Sequence, residues 1–147
     1  MMRLEIHPER DLTSAEYQAL SQFRYQIRRF LHFSEEAAKA AELEPQQHQL
    51  MLAIRASDDP QGPTVKGLSE VLLLRHHSVV GLLDRLEERG LVERTKDGHD
   101  SRQVRLRLTV RGAHTLSRLS GAHREELSRT GPLLVAALSS LLGPEKL

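Results

Sequence analysis

The chain has 147 residues, enough for one domain with a proper core, and no cysteine, which excludes disulfides and thiol-based redox sensing. No stretch approaches the roughly 20 apolar residues of a membrane span, and eight histidines are the only compositional hint of metal. The formal charge is +1, yet Thr64 to Arg118 hold eleven Lys and Arg against seven Asp and Glu, so the positive surplus sits in one segment, with the sign that a phosphate backbone attracts.

In chain order, Met1 to Leu12 is polar and mixed, an arm whose order depends on a partner. It lacks the basic-then-apolar order of a signal peptide, so a cytoplasmic location is expected. Thr13-Ser14-Ala15-Glu16 is a capping box that starts a helix, and Tyr17, Leu20, Phe23, Ile27, Phe30 and Leu31 keep helical spacing to Phe33. Ser34-Glu35-Glu36 either caps a new short helix or marks a bend, and Ala37 to Leu43 is helical in both cases. Pro45 suits the first position of the next helix, which runs to about Ala56 and turns Leu50, Met51, Ala53 and Ile54 to the core. The loop from Ser57 to Pro63 is dense in turn residues.

The stretch from Thr64 to Gly112 organises the rest. A short helix spans Thr64 to Leu72, Leu73 and Leu74 turn tightly, and a second helix runs to about Arg89. In it Val79, Leu82, Leu83 and Leu86 stack on one buried stripe at i, i+3, i+4 and i+7. The opposite face carries His77, Gly81, Asp84 and Glu88, with Val80 and Arg85 at its edges, and Gly90 stops the helix. The period then changes to 2. Leu91 to Thr95 begins one strand, and Val104, Leu106 and Leu108 alternate with Arg105 and Arg107 in another, around a polar tip from Lys96 to Arg102.

Helix, turn, helix and a ribbon with a basic tip make a winged helix-turn-helix. The second helix can enter the major groove while the tip reaches the backbone or the neighbouring minor groove. After the wing, Thr109 caps a long helix with Ala113, Leu116, Leu119, His123 and Leu127 roughly on one stripe. Gly131-Pro132 is expected to break it. The last segment, Leu133 to Leu142, is apolar on nearly all sides and should be covered by a second subunit, together with the first helix.

The string SVVGLLDRLEERGLVER, followed by Asp100-Ser101-Arg102 and then LTVRG from Leu108 to Gly112, resembles the MarR family of bacterial transcription regulators. That family's hallmark is a wing carrying D-x-R followed, after one strand, by L-T-x-x-G. The resemblance implies a mainly α fold with a small β-hairpin wing, a single domain over 1–147. Dimerisation helices would lie at 13–43 and 110–147, with a winged head at 45–109. It also implies a homodimeric regulator of double-stranded DNA, a repressor of pseudo-palindromic operators that a small anionic or aromatic effector relieves.

Arg102 is the foremost candidate contact, a guanidinium able to enter a narrow A·T-rich minor groove, with Asp100 two residues earlier to orient it. The plain alternative is a solvated hairpin salt bridge. Lys96 and His99 at the tip, and Arg94 and Arg105 on the strands, are phosphate-contact candidates that position without specifying. On the second helix, Arg75, His76 and His77 can donate to phosphates or guanine, Ser78 matches the family's hydroxyl-bearing contact position, and Val80 can meet a thymine methyl. Gly81 lets the helix sit closer. The family usually places a small hydroxyl residue at this N-cap and a long polar residue where Gly81 stands, so the chain departs from its pattern at both.

By analogy, Arg24, Arg28, His32 and His48 are candidates to line an effector pocket, with Phe30 or Phe33 as its wall. No metal or cofactor is expected: adjacent His76 and His77 point about 100° apart on a helix, and nothing local completes a tetrahedral set. Neither an oriented nucleophile nor a phosphate-binding glycine loop points to an enzyme. The competing function is a protein-interaction module built on the same fold, with no specific DNA binding.

Overall fold

The computed structural model describes residues 11–96 and 103–143. Along the chain these form α1 (Ser14–Ala40), α2 (Pro45–Ala56), α3 (Val65–Leu72), α4 (His76–Glu88), β1 (Val92–Lys96), β2 (Val104–Leu108) and α5 (Val110–Leu142). Two compact units emerge: Phe33–Arg124, and the residues up to His32 taken with those from Glu125 onward.

In the Phe33–Arg124 unit, α2, α3 and α4 surround one core with the hairpin against it. Leu50, Met51, Leu68, Val79, Leu82, Leu83, Leu86 and Leu106 are all but inaccessible to solvent. Each end is fixed locally. Thr64 accepts from the Gly67 amide at 3.1 Å to start α3. Leu73 closes it in the left-handed region at φ 55°, ψ 38°, where the Leu74 amide returns to the Ser69 carbonyl at 3.1 Å. A left-handed leucine costs backbone energy, and the turn it makes sets α4 off in a new direction.

β1 and β2 pair antiparallel, with Val92 opposite Leu108, Arg94 opposite Leu106 and Lys96 opposite Val104. The loop before α3 adds to this ribbon, since the Leu106 amide donates to the Pro63 carbonyl at 3.0 Å. The L-T-x-x-G run has a mechanical purpose. Thr109 Oγ1 accepts from the Gly112 amide at 3.0 Å, capping α5, and donates to the Gly90 carbonyl at 2.7 Å. A Cβ on Gly112 would lie 2.0 Å from the Leu91 carbonyl oxygen, so only glycine allows α5 to start this close to the α4–β1 turn.

Three expected boundaries are corrected. No cap or bend interrupts α1 at Ser34-Glu35-Glu36. Ser34 is buried and its hydroxyl is engaged with His123 Nε2 at 2.8 Å, so it does not compete for the local backbone. The helix stops at Ala40 rather than Leu43, because Glu42 turns left-handed at φ 60° and the Leu43 amide reaches back to the Ala38 carbonyl at 2.8 Å. Nor does Gly131-Pro132 end α5, which continues through Pro132 as a helix of 33 residues. A proline removes one amide donor and bends a helix, but both flanks of this one are long enough to stay helical.

In the other unit, α1 and the last turns of α5 leave Tyr17, Tyr25, Leu31, Leu133, Val135 and Leu142 each about half exposed. Among the described residues, no helix is long and apolar enough to cross a membrane.

Candidate nucleic-acid interface

The helix α4 is split cleanly between core and surface. Val79, Leu82, Leu83 and Leu86 are buried, whereas His76, His77, Asp84, Arg85 and Glu88 are exposed and Ser78, Val80 and Gly81 half-buried. The buried stripe fixes which face can meet a partner.

At the N-terminus, Arg75 is the extended N-cap residue, and its side chain makes no capping bond. The Ser78 and Val79 amides donate to the Arg75 carbonyl at 3.0 and 3.2 Å. The earlier first-turn amides have no intrahelical acceptor. With three basic or potentially basic side chains, Arg75, His76 and His77, at the positive end of the helix dipole, this end suits an anion.

The two strand arginines have partners that sequence reasoning did not assign. Arg94 donates to Asp84 at 2.7 Å and to Glu87 at 2.9 Å, which ties β1 to the middle of α4. The bond to Asp84 is the main cause of a pKa raised above the ordinary guanidinium value, so this charge is permanent. Arg105, mostly buried, donates to Asp59 at 2.8 Å and to the Gly62 carbonyl at 3.2 Å. Arg107 reaches the Pro60 carbonyl at 3.3 Å. Arg94 and Arg105 therefore brace the ribbon, with carboxylate partners that a phosphate would have to displace.

The alternating pattern had placed Arg105 on the face of the ribbon opposite Leu106. The missing signal was the partner, because Asp84 is ten residues from Arg94 and Asp59 is 46 from Arg105. Lys96, at the end of β1, is exposed. His99, Asp100 and Arg102 lie outside the described residues.

Of the proposed effector set, Arg24, Arg28 and His32 sit exposed on α1. His48 is 3% exposed, with its ring against that of His123, and so faces the interior of the Phe33–Arg124 unit. Its place on α2 was predictable, but its burial depends on α5 supplying a neighbour.

Three helices with a tight α3–α4 turn, followed by an antiparallel ribbon braced to α4, define a winged helix-turn-helix protein. Residues 41–103 match the model of the MarR family. In fold, the chain is similar to AbsC, a MarR family transcriptional regulator from Streptomyces coelicolor, at 20% identity over 92% of this chain and 95% of that one, with a TM-score of 0.71. It is likewise similar to CouR from Rhodococcus jostii bound to p-coumaroyl-CoA, at 20% identity, 90% and 97% coverage and a TM-score of 0.68. A point mutant of MepR from S. aureus bound to an oligodeoxyribonucleotide gives 20% identity, 92% and 88% coverage and a TM-score of 0.62. No curated protein sequence matches the chain. Residues 41–103 thus carry the sequence pattern of the MarR family, and the chain has the fold of the solved MarR family structures over most of its length.

Proposed function

We propose that the protein is a homodimeric, sequence-specific DNA-binding regulator, a repressor of pseudo-palindromic operators that a small ligand relieves. The observation that carries this is the division of α4. Its apolar stripe is locked into the core and its open face begins with Arg75, His76 and His77 at an uncapped helix N-terminus. That end approaches phosphates, Ser78 and Val80 reach base edges in the major groove, and Gly81 lets the backbone come close. The ribbon, held to α4 through Arg94, carries Lys96 toward the backbone. Arg102 at its tip, oriented by Asp100, enters the minor groove, and His99 adds a phosphate contact.

Half-exposed aromatic and aliphatic side chains on α1 and the end of α5 supply the surface for a second copy. The solved relatives support both halves of the proposal, one holding an oligodeoxyribonucleotide and another a coenzyme A thioester. Fluorescence anisotropy on duplex DNA across a salt series tests the reading. Affinity should fall steeply with salt, and His77→Ala should cost about 1 to 3 kcal/mol on a specific site. Flat salt dependence would favour the protein-interaction alternative.

A further inference from the structure

The α3–α4 turn carries a side chain that neither its backbone nor the core calls for. Leu73 ends α3 in the left-handed region at φ 55° and ψ 38°. Glycine adopts that conformation freely and asparagine tolerates it, whereas leucine enters it at a cost. Packing does not offset the cost, because Leu73 is 90% exposed while Leu72 and Leu74 on either side pack against the core.

Two comparisons within the chain single this residue out. Among the described residues the other non-glycine with a positive φ is Glu42, a polar side chain at home in water. Val110 is exposed to the same 90%, but it sits in regular helix and strains no backbone. Leu73 alone among the described residues joins a strained backbone to a large apolar side chain in solvent. Strain that the fold itself does not use is characteristic of positions that meet a partner.

The turn leads directly into the end of α4 that the proposed function aims at DNA. Leu73 stands two residues before Arg75, the N-cap of α4, so the two lie within about 7 Å along the chain. The turn is also held in shape, since the Leu74 amide donates to the Ser69 carbonyl at 3.1 Å and the Ser78 and Val79 amides close on the Arg75 carbonyl. Leu73 is therefore carried beside the cationic end formed by Arg75, His76 and His77.

We infer that Leu73 is a specificity-determining residue, packing its side chain on a thymine methyl of the half-site. Chemistry selects this occupant. A cationic helix end approaches phosphates and base edges, and the one apolar group that base edges present in the major groove is the C5-methyl of thymine. Burying that methyl under Leu73 removes both from water, and a cytosine or purine at the same place would leave the leucine without an apolar partner. The inference rests on the regulator reading and names a residue that the reading leaves out.

Fluorescence anisotropy tests it on a duplex enriched from a random pool by the full chain, with each thymidine replaced in turn by deoxyuridine. Where Leu73 packs, loss of the methyl should weaken the parent about fourfold, the contribution of one buried methyl group. Leu73→Asn should bind the unmodified duplex about tenfold more weakly and should no longer distinguish thymine from uracil at that position. A thymine read by Val80 keeps its sensitivity in this variant. Leu73→Met, still apolar, should retain most of the affinity. Leu73→Asn should also raise the midpoint of chemical denaturation, because asparagine enters the left-handed region more readily, so weaker binding by a more stable fold separates contact from folding. Unchanged affinity in Leu73→Asn, or thymine discrimination kept at every position, would overturn the inference. Failure to enrich any duplex would remove the regulator reading with it, whereas an enriched duplex bound alike by parent and variant removes this inference alone.

Discussion

The imidazole of His48 lies 4.9 Å from that of His123, centroid to centroid, with the rings tilted by 40°. His123 is held at both nitrogens, with Nδ1 2.7 Å from the Leu119 carbonyl and Nε2 2.8 Å from the Ser34 hydroxyl. A carbonyl can only accept, so Nδ1 carries a proton, and in the neutral ring Nε2 accepts from Ser34. Phe33 completes the surroundings, edge-on to His123 at 5.3 Å. His48 Nδ1 is buried and has no hydrogen-bond partner among the described residues.

Burial, and next the charge that His123 can carry, push the pKa of His48 below its ordinary value of 6.5. The unfolded chain then binds this proton more readily than the folded one. The stability contributed by a neutral His48 is complete above about pH 6.5 and is lost as pH falls toward the depressed folded value. Thermal melts from about pH 7.5 to about pH 5.5 should show the parent losing more of its midpoint than His48→Leu. Parallel losses would show that the acid sensitivity lies elsewhere.

Gly112 and Gly121 lie on the same helix and should respond oppositely to alanine. At Gly112 the new Cβ would meet the Leu91 carbonyl, a backbone atom that cannot swing away, so Gly112→Ala should destabilise by about 2 to 3 kcal/mol in chemical denaturation. At Gly121 a Cβ meets nothing within 4 Å, and Gly121→Ala should stabilise by about 0.5 to 1 kcal/mol through helix propensity. Similar values at the two sites would refute the close approach of α5 to the α4–β1 turn.

Arg94 and Lys96 separate bracing from contact. Arg94→Gln should lower folding stability by about 0.5 to 1.5 kcal/mol, discounted because its side chain is 28% exposed. It should leave the slope of log affinity against log salt unchanged, because the residue neutralises no phosphate. Lys96→Gln should do the reverse, reducing that slope by about 0.9 with little effect on stability. A reduced slope for Arg94→Gln would restore it to the DNA surface.

Much of the head was legible in the sequence because its signals are local. The stripe of Val79, Leu82, Leu83 and Leu86, the Thr109 cap, the Leu73 turn and the strand alternation each depend on residues within a few positions. What stayed hidden depends on partners far along the chain. Ser34 looked like a helix breaker because its acceptor, His123, is 89 residues away. The partners of Arg94 and Arg105 and the burial of His48 stayed hidden for the same reason. Pro132 misled in another way, since a proline's cost falls on one turn and the length of α5 outweighs it.

Charge placed on the exposed apolar surface should separate the subunits. Leu133 and Val135 are 47% and 54% exposed, so Leu133→Asp with Val135→Asp need not disturb the fold of one chain. Light scattering should give the chain mass of 16.6 kDa for the double variant and twice that for the parent. A parent that already runs as a monomer would remove this surface from the account.

Selection of duplexes from a random pool by the full chain, followed by anisotropy on the enriched sequence and a scrambled duplex, tests the central claim most directly. The account predicts a pseudo-palindrome with half-sites about one helical turn apart, bound about 10³-fold or more tighter than the scrambled control. No enrichment, or equal affinity for both duplexes, would contradict sequence-specific recognition by α4 and leave the head as a surface for protein partners.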